Sequence, residues 1–88
     1  MIKTKENKIK ELLKTNVQAQ KAFDKMLSFY QILDSINTSS HVKLIKSIYL
    51  NTKNQYTWQL ANIANVSNET CFRYRKKYIK CFYLCFNF

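Results

Sequence analysis

Neither glycine nor proline occurs anywhere in the 88 residues. Tight β-hairpins depend on glycine and on Asn-Gly pairs, so their absence points to an all-α fold. The same absence excludes a phosphate-cradling loop, which needs glycine where backbone approaches phosphate. Acidic residues are few, 5 against 15 Lys plus Arg. The single histidine, His41, and three cysteines, Cys71, Cys81 and Cys85, contain no Cys-x-x-Cys pair, so no metal site or cofactor is expected. No Ser-His-Asp arrangement has support from spacing. Asp24, Asp34 and His41 read as surface residues, and an enzyme is not expected. No apolar run approaches the roughly 18 residues that span a bilayer, so no membrane partner is expected. An odd cysteine count without a signal peptide fits a reducing, cytoplasmic setting.

What is present is basic charge, and its position matters. The length allows one domain, 1–88, with one modest core. The formal charge is +10. Residues 1–37 carry seven Lys and four acids, a net +3; residues 38–66 carry three Lys and no acid, again +3. Residues 67–88 carry five basic residues and Glu69, a net +4, the highest density. Such an imbalance favours polyanions. Lys, Asn, Ile, Phe and Tyr share A/T-rich codons, so the placement of the charges says more than their total.

With no glycine or proline, breaks fall at polar clusters. Asn37-Thr38-Ser39-Ser40 and Asn51-Thr52-Lys53-Asn54-Gln55 divide the chain. The periodicity predicts a long N-terminal helix from about Lys5 to Ile36 within 1–37, then a three-helix unit within 40–86. Its helices run from about His41 to Leu50, Trp58 to Ala64 and Asn68 to Phe86. Residues Met1 to Lys8 read as frayed. In the long helix Leu12, Asn16, Ala19, Phe23, Met26, Tyr30 and Leu33 recur at heptad-like spacing. This seam fits either a homodimer centred on Phe23 and Met26, with Asn16 fixing register, or packing on the other helices. The His41–Leu50 helix is apolar nearly all round and reads as the central element. Trp58 reads as a core residue beside Tyr49, with base stacking as the alternative.

Residues 59–76, Q-L-A-N-I-A-N-V-S-N-E-T-C-F-R-Y-R-K, have the spacing of a helix-turn-helix. Ala61 is small where two helices cross closely. Asn65 sits where a positive φ is needed, and asparagine is the best substitute for glycine there. Ser67 is placed to cap the second helix, as Thr57 is to cap the one before. At about 100° per residue, Cys71, Tyr74, Tyr78 and Phe82 point inward, and Glu69, Phe72, Arg73, Lys76 and Lys80 point outward. Arg can grip guanine, Asn adenine and Glu cytosine N4. Asn68, Glu69, Phe72 and Arg73 are therefore the candidate base-reading residues. Lys53, Thr57, Ser67, Arg75, Lys76, Lys77 and Lys80 are the candidate phosphate contacts. The competing reading is a solvated basic helix in an unrelated bundle.

The run L-I-K-S-I-Y-L, a polar linker, and then Y-T-W-Q-L-A-N-I-A-N-V-S-N-E-T-C-F-R-Y-R-K-K-Y-I-K-C-F resembles the C-terminal half of RinA/ArpU-type phage transcriptional regulators. Those are similar in turn to region four of bacterial sigma factors. The matching positions are Tyr49, Leu60-Ala61, Val66-Ser67, Thr70, and Arg73 with Arg75, within residues 44–82. Asn65 departs from the usual turn residue, and the aromatic tail from Cys81 to Phe88 has no counterpart. The resemblance implies a phage or mobile-element transcription regulator on double-stranded DNA, with RNA polymerase as a further partner. Activator, repressor and small DNA-packaging factor stay open. The tail fits packing against the N-terminal helix, a dimer or polymerase contact, or a membrane-surface anchor. A helical protein–protein interaction module is the competing function class.

Overall fold

Asn16 divides the N-terminal segment into two helices where the apolar seam predicts one. In the computed structural model, which describes residues 1–51 and 55–87, α1 spans Ile2–Thr15 and α2 spans Val17–Asn37. Asn16 is extended, with φ −104° and ψ 112°. Its side chain accepts from the Ala19 N–H at 3.0 Å and caps α2. Its own N–H donates to the Leu12 carbonyl at 2.8 Å and closes α1. Asparagine is among the best N-caps, and the flanking Thr15 and Val17 are β-branched and weaker helix formers. Packing adds a larger reason. A straight helix over this stretch would run about 54 Å at 1.5 Å per residue, but the Cα trace extends only 32 Å along its longest axis. Asn16 is a corner, not a polar residue in a dimer seam.

The start of α1 is helical and packed rather than frayed. Ile2, Glu6, Ile9 and Leu13 recur at spacings of four and three, and Glu6 and Ile9 are buried. The remaining helices are α3 (His41–Tyr49), α4 (Thr57–Ala64) and α5 (Asn68–Phe86), each within one residue of its expected bounds. No strand occurs among the described residues. Lys53 lies outside them.

All five helices contribute to one core. Ile9 of α1, Phe23 and Met26 of α2, Leu44 and Ile45 of α3, Leu60 of α4, and Tyr78 and Phe82 of α5 are buried in it together. The heptad-like seam is thus spent inside the chain: Ala19, Phe23, Met26 and Tyr30 face this core, and a dimer centred on Phe23 and Met26 cannot form without unfolding it. The tail is used in the same way. Phe82 is fully buried, and Cys81, Tyr83, Cys85 and Phe86 pack partly against the core. Trp58 differs from expectation. It is 56 % exposed, because it stands two residues before the inward Leu60 and so points away.

The turn from α2 to α3 is built by Asp34. Its carboxylate accepts from the His41 and Val42 N–H groups, both at 2.9 Å, and from Ser39 Oγ at 2.7 Å. Burial acts to raise its pKa, but these three hydrogen bonds outweigh that and hold it below the ordinary 3.8. Asp34 is therefore a structural cap for α3, not a surface residue. Thr38, at the end of α2, takes a left-handed φ of 51° that a β-branched residue adopts only under constraint.

Candidate nucleic-acid interface

The connection 65–67 shows how a short turn between helices forms without glycine. Asn65 is left-handed, with φ 56° and ψ 48°. Its N–H donates to the Asn62 carbonyl at 3.1 Å, and the Val66 N–H donates to the Ala61 carbonyl at 3.0 Å. This is the Schellman pattern, and Val66 packs on the core as that pattern favours. Ser67 then accepts from the Thr70 N–H at 3.1 Å and caps α5. Thr57 does not cap α4. The cap position is Tyr56, whose N–H donates to Gln59 Oε1 at 2.8 Å.

From this start α5 has two distinct sides. Cys71, Tyr78 and Phe82 are fully buried. Asn68, Glu69, Phe72, Arg73, Lys76, Lys77 and Lys80 are exposed. The four candidate base-reading residues therefore share the first two turns of one solvent-facing helix, with the lysines following. Glu69 lies in the first turn, where a carboxylate complements the helix dipole. Arg73 Nη2 donates to Thr70 Oγ1 at 3.2 Å, which lays the guanidinium toward the start of the helix. The Lys76 ammonium sits 4.6 Å from the Phe72 ring centroid, a contact worth about 0.5–1 kcal/mol at an exposed site.

Two of the proposed phosphate contacts are committed elsewhere. Arg75 is buried, not outward. Its Nη2 and Nε donate to Glu6 Oε1 and Oε2 at 2.6 and 2.9 Å, a bidentate pair joining α5 to α1. Its Nη1 donates to Thr57 Oγ1 at 3.2 Å, so Thr57 serves Arg75. The Glu6 hydrogen bonds push the guanidinium pKa above its already high ordinary value. The signal was present in the spacing: Arg75 falls one turn after Cys71 and one before Tyr78, and Glu6 falls between Ile2 and Ile9. Each charge stood in an apolar stripe, where it needs a partner.

His41 is also not a surface residue. Its ring packs within 5.0 Å of Tyr30 and 4.6 Å of Tyr74, and its Nδ1 shares a 2.5 Å hydrogen bond with the Tyr78 hydroxyl. Burial is the largest influence on it and lowers its pKa below 6.5, with Lys77 adding to the shift and Asp34 opposing it. A depressed folded-state value means the folded state binds fewer protons than the unfolded chain. His41 then contributes stability that is complete above pH 6.5 and is lost as the pH falls through the folded value. A proton titration of this lone imidazole by NMR should give a midpoint below 6.5, and a midpoint at or above it would contradict the packing.

Among the described residues no group of three His, Cys, Asp or Glu side chains is gathered that could hold an ion. Burial pushes the Cys81 thiol up to about 11, so it stays protonated at neutral pH. No described helix is long and apolar enough to cross a membrane. No protein-family model, curated protein or solved structure matches this chain.

Proposed function

We propose that the protein is a DNA-binding transcriptional regulator that uses α4, the 65–67 turn and α5 as a helix-turn-helix. The observation that carries this reading is the one-sided exposure of α5. Asn68, Glu69, Phe72, Arg73, Lys76 and Lys80 face solvent, while Cys71, Tyr78 and Phe82 fix the helix from behind. A rigidly backed helix with amide and guanidinium groups near its start suits major-groove readout. Arg73 would grip a guanine, and Phe72 would meet a thymine methyl. Lys76, Lys77 and Lys80 would hold phosphates where the helix leaves the groove. The resemblance to RinA/ArpU-type regulators extends the reading to phage or mobile-element transcription, with RNA polymerase as a protein partner.

Binding to random duplex DNA at two salt concentrations, followed by selection of a preferred sequence, tests this. Affinity should fall steeply, with a log–log slope near −0.9 per phosphate neutralised. Arg73→Ala should weaken specific binding by about 1–3 kcal/mol and relax preference at one base position. Equal loss on specific and random duplex would demote Arg73 to a phosphate contact. Lys76→Ala should weaken binding to every sequence and make the slope shallower by about one unit. An unchanged slope would remove it from the interface.

A second reading, a protein–protein interaction module, has its own observation. Phe29, Ile32 and Ile36 form an exposed apolar stripe on α2 at helical spacing. Salt separates the two, since an apolar contact lacks the steep slope of phosphate binding.

A further inference from the structure

We infer that the first turn of α1 is a second arm of the nucleic-acid surface, with Lys5 joining Lys76 and Lys80 on one phosphate strand. The inference rests on the DNA reading above and extends it to a helix outside the helix-turn-helix. A groove of about 390 Å³ opens between the two helices. Ile2 and Lys5 line it from α1, and Phe72, Lys76, Ile79 and Lys80 line it from α5. All three lysines are exposed, and no carboxylate is among the lining residues.

The groove is held in place by its neighbours. Glu6, next to Lys5, is buried and gripped bidentately by Arg75, between Tyr74 and Lys76 in α5. That pair fixes the register of α1 against α5. It also removes the one carboxylate in this stretch of α1 from the surface. Adjacent helical residues point about 100° apart, so an inward Glu6 leaves Lys5 directed along the flank of α5. The Phe72 ring lines the groove, with the Lys76 ammonium over it. Three ammonium groups gathered from two helices repel one another, and no carboxylate lining the groove offsets that repulsion. A polyanionic strand crossing the groove would relieve that repulsion. Because Lys76 and Lys80 also border the exposed face carrying Arg73, the strand that crosses the groove is the backbone of the duplex read by α5.

The test is the salt dependence of duplex binding by the full chain and four variants, with melting temperature as the control for folding. Lys5→Ala should make the slope shallower by about one unit, equally on selected and random duplex, without a change in melting temperature. Lys5→Arg should keep the wild-type slope. Lys25→Ala, an exposed lysine on α2 outside the groove, should also keep it. A wild-type slope in Lys5→Ala beside a shallower one in Lys76→Ala would overturn the α1 arm and leave the DNA reading intact. An equal change in Lys25→Ala would reduce the effect to net charge and overturn it as well. Wild-type protein whose duplex binding is absent or insensitive to salt would sink the DNA reading and the arm together.

Discussion

Glu6→Ala should destabilise the protein by about 3–5 kcal/mol, because it strands the buried Arg75 guanidinium without its partner. That is a large share of the roughly 5–15 kcal/mol that holds a typical domain together. The expectation follows from burial, since an exposed pair such as Lys14–Glu11 contributes at most about 1 kcal/mol. Side-chain exposure at the Arg75–Glu6 pair is only 9 % and 4 %. Urea denaturation would measure the loss as a fall in the midpoint. Arg75→Lys should also be costly, because a single ammonium cannot replace the bidentate fork. The double variant Glu6→Leu with Arg75→Met should recover most of the stability, since removing both charges leaves no orphan. The double variant also separates structure from binding. If Arg75 only positions α5, the salt slope on DNA stays at the wild-type value. A shallower slope would return Arg75 to the phosphate contacts that its sequence position suggested.

Phe23→Glu should unfold the chain rather than yield a folded monomer. Phe23 is 4 % exposed and meets Tyr49 edge to face at 5.8 Å between centroids. Phe-to-small substitutions in cores cost about 3–5 kcal/mol, and burying an unpaired carboxylate adds several more. Circular dichroism would show the helical signal lost at room temperature. A folded variant that merely sediments as a smaller species would restore the seam to a dimer interface. The companion Ile32→Glu, on the exposed stripe of α2, should stay folded. Surface substitutions generally shift stability by no more than about 0.5 kcal/mol.

The residues whose roles were legible from the sequence act within one or two helical turns. Asn65 was placed at a positive φ because a turn is needed there and no glycine is available. Ser67 was placed as a cap because it opens a helical run, and its Oγ does accept from the Thr70 N–H. The exposed and buried sides of α5 followed from its period alone. Asn68, Glu69, Phe72 and Arg73 are exposed, as that period requires. Sequence and structure part at residues such as Arg75, which have two possible employments. Arg75 lies in a basic run, which suggested phosphate, and its inward phase was outweighed. Trp58 reads as core because it is an aromatic at helical spacing, but its phase relative to Leu60 turns it outward.

The sequence by itself determined an all-helical chain, the bounds of α3, α4 and α5, the glycine-free turn at 65–67 and the basic outer face of α5. These depend on contacts between residues a few positions apart, so periodicity and capping chemistry are sufficient to specify them. Only the tertiary structure decided that the N-terminal seam bends at Asn16, that it packs inward rather than on a second chain, and that His41 enters a cluster of tyrosines. It alone decided that Glu6 meets Arg75 across 69 residues of sequence and brings Lys5 to the flank of α5. The physical reason is common to all of these. A helical period states which face of a helix must be covered, but which neighbour covers it depends on how the whole set of faces closes around one core.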